Sequence, residues 1–234
     1  MGYGALQFSI GDANTAFGKE AGRSQVNGSN SVYFGSGTGY LNSTGIRNHA
    51  FGDGALYNNL ASNNSAFGYQ ALKNNTSGGM TAIGYQAGLN NTTGSNNAAV
   101  GYQALYANTT GTPNTAVGIA ALGSNTTGAN NNAFGFGTLD SNTTGSYNTA
   151  FGDQALTANN TASYNTAVGY LALNANTTGN LNIGMGYDAG GNCTTGIRNV
   201  FLGASAQPAA AANNDCIVIG GGSSVVGKGS NTGF

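Results

Sequence analysis

One unit, restated along almost the whole chain, limits what the chain can fold into. "SYNTAVGYLALNANTTG" at 163–179 follows "SYNTAFGDQALTANNTA" at 146–162 without a gap, and the same frame extends in both directions. A glycine preceded by a large apolar residue recurs as Gly18, Gly35, Gly52, Gly68, Gly84, Gly101, Gly118, Gly135, Gly152, Gly169, Gly186, Gly203 and Gly220. The step is 17 residues except for two steps of 16, from Gly52 to Gly68 and from Gly68 to Gly84, and "GYGAL" at the start adds a partial copy. A unit this short excludes helical repeats of more than about 30 residues and propeller blades of about 40. A chain coiling about an axis fits, each turn adding one strand and about 4.8 Å of rise, or roughly 60 Å in all. The predicted fold is therefore all-β, a β-solenoid or β-roll of about thirteen 17-residue turns, regular over 1–203 and passing into a degenerate final repeat and connector over 204–234.

The columns of the repeat assign sides to the chain. One place before the anchor glycine stand Phe17, Phe34, Phe51, Phe67, Ile83 and their counterparts, always large and apolar, which are expected to form the main inward ladder. Two places before it the residue is mostly Ala, with Tyr33, Gly184, Phe201 and Val218 as exceptions. By the two-residue period of a strand these small residues point the other way, with room for a second backbone to approach. Ala71 with Leu72, Ala104 with Leu105, and Ala155 with Leu156 mark a second apolar corner, and "NNTTG", "ANTTG" or "SNTTG" a polar turn.

The most regular polar column lies four places before the anchor: Asn14, Asn48, Asn64, Asn97, Asn114, Asn131, Asn148, Asn165, Asn182 and Asn199, interrupted by Ser31, Met80 and Cys216. Stacked amides can bond to one another up a coil and satisfy a bend at each turn, so this column is expected to be a structural ladder.

Composition excludes several functions. Lys plus Arg number 6, Asp plus Glu 7, and the net charge is −1, so no positive field exists to gather nucleic acid. No apolar run approaches the roughly 18 residues of a membrane span, and "MGYGALQFSIGD" carries no signal-peptide pattern. Cys193 and Cys216 have no accompanying ligand cluster and read as small apolar substitutions in repeat columns, so neither a metal nor a cofactor is expected.

No catalytic constellation emerges either. His49, the single histidine, stands where other copies have Thr15, Ser65, Thr115, Thr149 and Thr166. Asp53 and Asp153 share a column but lie six turns apart, and Glu20 and Asp188 are also far apart, whereas a carboxylate pair must be close. "NIGMGYDAG" and the run at 218–230 have the glycine content of a phosphate loop, but Lys228 is followed by Gly229 and no helix follows.

Some surface features could meet a ligand. Tyr69, Tyr85, Tyr102, Tyr170 and Tyr187 form a partial aromatic column after the anchor, beside Gln70, Gln86, Gln103 and Gln154, and are candidate contacts for a cell-surface glycan. Asn-x-Thr sites, such as Asn108 with Thr110 and Asn125 with Thr127, are glycan acceptors in a suitable secretory route. Thr109 and Thr110, Thr126 and Thr127, Thr143 and Thr144, and Thr177 and Thr178 form hydroxyl ranks of the kind an ice-binding surface needs, although adjacent residues cannot both face outward on one strand.

Two resemblances bear on assembly. "NSVYFG" at 30–35, and less closely "RNVFLG" and "DCIVIG", resembles the signature of the trimeric β-roll heads of bacterial autotransporter adhesins, while Thr in "NTAVG" and the 17-residue unit depart from it. That resemblance implies three parallel coils with Val32 and Phe34, Val200 and Leu202, and Ile217 and Ile219 as inward pairs. "NTAVGYQAL" followed by "NTTG" is more similar to repeat arrays in fibre and tail-associated proteins of phages and large viruses, and in some bacterial surface proteins. Such arrays are often followed by a self-cleaving C-terminal chaperone, which is not expected before Phe234.

A thin coil with about two large apolar side chains per turn is underfilled, which points to side-by-side association through the Ala and Gly face. The fibre resemblance makes that a parallel homotrimer. The leading expectation is a structural shaft of a viral or phage fibre involved in host attachment, on the virion or an extracellular cell surface, with other fibre or filament proteins as partners. The alternatives are a bacterial adhesin stalk or self-assembling extracellular filament subunit, and an ice-binding or glycan-binding solenoid.

Overall fold

The computed structural model describes residues 2–221, and the chain is an all-β parallel β-solenoid of about thirteen turns. The connector expected after Gly220 lies, from residue 222 on, outside the described residues. Two compact units divide the chain, Met1–Ile119 and Ala120–Phe234.

The first unit contains β1 (Thr15–Phe17), β2 (Val32–Phe34), β3 (His49–Phe51), β4 (Ser65–Phe67), β5 (Thr81–Ile83), β6 (Ala98–Val100) and β7 (Thr115–Val117). The second contains β8 (Asn132–Phe134), β9 (Thr149–Phe151), β10 (Thr166–Val168), β11 (Ile183–Met185), β12 (Val200–Leu202) and β13 (Ile217–Ile219). Within each unit every strand pairs in parallel with the next, and like columns meet: Ala99 faces Ala116 and Val100 faces Val117 in one, Ala150 faces Ala167 and Phe151 faces Val168 in the other.

Strands of three residues are short because the backbone turns sharply at both ends. The anchor glycine that ends β6, Gly101, has φ +138°, and a Cβ there would lie 2.6 Å from the carbonyl carbon of Gly118 in the next turn. Only glycine fits such an approach. The turn needs further left-handed residues, many of them not glycine: Gln103 at φ 53° and Leu105 at φ 51° in one copy, Tyr147 at φ 59° just before β9. Main-chain bonds also link turns outside the strands, as from Leu72 N–H to Ala87 O and from Leu156 N–H to Ala172 O, both 3.0 Å.

The sides of the strand are the reverse of those expected from the sequence. The middle residue of each strand, usually Ala, is buried, and the large residue before the anchor faces outward: Phe17 is 55% exposed, Phe67 38% and Met185 44%. Ala50, Ala66, Ala150 and Ala167 are fully buried inside their own coil, so the Ala column is not a surface through which coils can associate. The inward pairs carried over from the adhesin resemblance are corrected with it: Phe34 and Ile219 face outward, while Tyr33 and Val218 fill the interior.

The physical reason is interior volume. Besides the strand Ala, each regular turn buries the corner pair, such as Ala104 with Leu105 or Ala155 with Leu156, and two asparagines. A phenyl ring in every turn does not fit beside them. Where the strand does carry a ring inward, the corner gives way. Tyr33 packs between Gly22 and Gly39, where an added Cβ would come 2.9 Å from its ring at Gly22 and overlap the ring at Gly39, and Phe201 packs against Gly190, where an added Cβ would overlap its ring. At β11 the exchange runs the other way, with Gly184 against Leu173. Volume is thus conserved from turn to turn, as close packing demands.

Candidate functional site

A narrow coil buries main-chain groups that no neighbouring strand reaches, and these need partners. The column four before the anchor supplies them. In the second unit the main-chain N–H of each next turn donates to the amide oxygen below it: Asn148 to Asn131 and Asn165 to Asn148 at 3.0 Å, Asn182 to Asn165 at 2.9 Å, Asn199 to Asn182 at 3.0 Å. Each Nδ2 reaches across to a carbonyl, from Asn148 to Ala162 O at 2.8 Å and from Asn182 to Gly196 O at 2.7 Å. In the first unit Asn14, Asn48, Asn64 and Asn97 use their amide groups likewise. The Ser31 hydroxyl takes over as acceptor for the Asn48 N–H at 3.1 Å. Asn114 and Asn131 are buried in the same column.

The amide-to-amide stacking runs mainly in a second column, seven places after the anchor, whose residues stand in the sequence as part of the polar turn. Asn91 Nδ2 donates to Asn75 Oδ1 and Asn108 to Asn91, both at 2.7 Å; Asn142 donates to Asn125 and Asn159 to Asn142, both at 2.8 Å. Its regularity in the sequence matches that of the first column, which was the available signal. Cys193 breaks it: with no amide to donate to the turn below, the buried Oδ1 of Asn176 is left without a partner. Burial pushes the Cys193 thiol up, so it stays a thiol at neutral pH.

Outside the coil, columns become side-chain ladders. Phe17, Phe34, Phe51 and Phe67 stack with centroids 4.9, 6.0 and 4.9 Å apart, and Phe134 stacks on Phe151 at 4.4 Å. Tyr69, Tyr85 and Tyr102 stack at 5.2 and 5.1 Å, and in the second unit Tyr170 stacks on Tyr187 at 5.8 Å. Beside the first three, Gln86 donates to Gln70 at 3.1 Å and Gln103 to Gln86 at 3.0 Å. Parallel rings this close cover part of each other's faces, so the Tyr ladder offers solvent mostly edges and hydroxyls.

The remaining candidates stay apart. His49 is exposed on β3, and Asp153 accepts the Phe136 N–H at 3.0 Å. Both Thr of each "NTT" turn reach the surface because the chain bends there, yet the first is occupied: Thr92 Oγ1 donates to Thr109 O at 2.9 Å and Thr177 Oγ1 to Thr194 O at 3.1 Å. Among the described residues no group of three or more His, Cys, Asp or Glu could hold a metal ion, and no helix is long and apolar enough to cross a membrane.

Fold and ladders together define a parallel β-solenoid held by internal asparagine columns, a construction consistent with a structural subunit. Comparison of the chain with protein-family models, with curated proteins and with solved structures returns no match.

Proposed function

We propose that the chain is a shaft segment of a viral or phage fibre involved in host attachment, and that copies associate in parallel as a homotrimer through the outward face of the strands. The observation that carries this reading is the apolar stripe on that face, running through Phe17, Phe34, Phe51, Phe67 and Ile83 in the first unit. Those five residues are between 37% and 55% exposed, and contiguous apolar surface of this kind marks an interaction site. A second copy suits it because the chain has 13 formally charged residues in 234, so little opposes the approach of like to like. Residues 204–234 serve as a degenerate last repeat and connector in this reading. An adhesin stalk or extracellular filament subunit uses the same coil and the same face. Tyr69, Tyr85, Tyr102, Tyr170 and Tyr187 would meet a host glycan through ring edges and hydroxyls in either setting.

Sedimentation equilibrium of the full chain tests the proposal, alongside Phe51→Asp and Phe151→Asp. A three-chain mass that falls to one chain in the variants, with far-UV circular dichroism unchanged, is the expected result. A single-chain mass for the unaltered protein overturns the trimer and with it the shaft.

A further inference from the structure

Eight asparagines of the column seven places after the anchor begin an Asn-x-Ser/Thr sequence: Asn42, Asn75, Asn91 and the four from Asn108 to Asn159, with Asn176 the last. The flanking Thr110, Thr127, Thr144 and Thr178 are exposed, so the sequence signal stands at the surface while its acceptor does not. All eight acceptors are at most 1% exposed. The amide nitrogen is also fully used. Asn108 Nδ2 donates one hydrogen to Asn91 Oδ1 at 2.7 Å and the other to Gly111 O at 3.1 Å, and Asn142 repeats the pattern with Asn125 Oδ1 at 2.8 Å and Gly145 O at 3.0 Å.

N-glycosylation works on that nitrogen. It bonds to the anomeric carbon of a lipid-pyrophosphate-linked oligosaccharide, the bond from that carbon to the pyrophosphate oxygen breaks, the amide loses one proton, and the lipid pyrophosphate leaves. A glycosylated Nδ2 keeps one hydrogen for two acceptors, and its sugar has no path out of a closed coil. In the unfolded chain nothing shields these sites. We infer that N-glycosylation and folding exclude one another in this protein, so that the coil must form in a compartment without oligosaccharyl transfer and reach any extracellular site already folded. Asn27, Asn63 and Asn192 also begin such sequences, but they are exposed and compatible with the coil; Asn74 and Asn90 begin two more and are half-buried outside the column. The inference is independent of the trimer and of the fibre reading.

The test is expression of the full chain in one eukaryotic cell line, with and without a cleavable secretion signal, read by intact mass, glycosidase shift and protease resistance. A third form carries the secretion signal with the Ser or Thr of the eight sequences, and of the two begun by Asn74 and Asn90, replaced (Ser77→Ala; Thr→Val at 44, 76, 92, 93, 110, 127, 144, 161 and 178), which leaves every buried Asn in place. The cytosolic chain is expected to be unmodified and resistant. The secreted chain is expected to carry glycans on the column and to be digested roughly tenfold faster or more, with resistance restored in the third form. A secreted chain that is resistant, whether glycosylated on the column or untouched there, overturns the inference. So does a third form that stays sensitive although its cytosolic counterpart is resistant.

Discussion

Asn148 offers the sharpest test of the internal ladders. Its Oδ1 accepts the Asn165 N–H at 3.0 Å, its Nδ2 donates to Ala162 O at 2.8 Å, and all three residues are at most 1% exposed. Asn148→Ala leaves the buried Asn165 N–H unpaired, worth about 1–3 kcal/mol, while Ala162 O keeps the hydrogen bond from Asn159 Nδ2 at 3.0 Å. Against a stability of about 5–15 kcal/mol for a unit of this size, that is a large fraction. Asn148→Asp separates hydrogen bonding from shape. The ionised carboxylate still accepts from Asn165 but turns its second oxygen on the Ala162 carbonyl, whereas the protonated acid can donate there. Its folded pKa must therefore lie above the unfolded value of about 3.9, so the folded state binds more protons and the variant gains stability as pH falls between the two. Urea unfolding followed by far-UV circular dichroism between pH 8 and pH 4, for the parent and both variants, gives the comparison. Asn148→Ala within about 0.5 kcal/mol of the parent, or Asn148→Asp with the parent's pH profile, would refute the reasoning.

Other substitutions probe other columns. Cys193→Asn supplies the amide that Asn176 Oδ1 lacks and should raise stability by about 1–3 kcal/mol, seen as a higher urea midpoint. Gly101→Ala combines φ +138° with a carbonyl in the way and should cost about 2–6 kcal/mol by the same measurement. Phe201→Ala should cost about 3–5 kcal/mol. Adding Gly190→Leu should return at least part of that loss, although Gly190→Leu alone clashes with Phe201, so the double-mutant cycle should be strongly non-additive. Burial raises the Asp140 carboxyl above its ordinary value, so its charge costs stability at neutral pH and the cost fades as pH falls through the folded pKa. Asp140→Asn should therefore raise the thermal midpoint at pH 7, by an amount that shrinks on acidification.

The period, the anchor glycines and the strand positions were legible because each is a property of one column. Which side of the strand faces inward was not. Both sides carry apolar residues, and a three-residue strand such as Thr-Ala-Phe puts a bulky group on one parity whichever way it turns. The deciding signal was a covariation between columns: the inward rings Tyr33 and Phe201 coincide with Gly22, Gly39 and Gly190 where most other turns have Leu. The asparagine four before the anchor shares parity with the strand Ala, and a buried amide beside a buried methyl would have fixed the same side. The second asparagine ladder is hidden in the sequence because "NTTG" also reads as a turn, and it is one; its first residue simply points inward while its Thr residues point out.

The two 16-residue steps bear on how such a chain changes over time. In 17-residue copies the inner amide bonds a carbonyl three residues on, as Asn91 does with Gly94; in the shorter ones it bonds two residues on, as Asn59 does with Ala61 and Asn75 with Ser77. The missing residue has been taken from the outer bend, while strand register and buried columns on either side are undisturbed. That bend is a seam open to editing. Residues can leave there, and by the same geometry be added, so that new surface loops can be tried on one rung without renegotiating the packing of its neighbours.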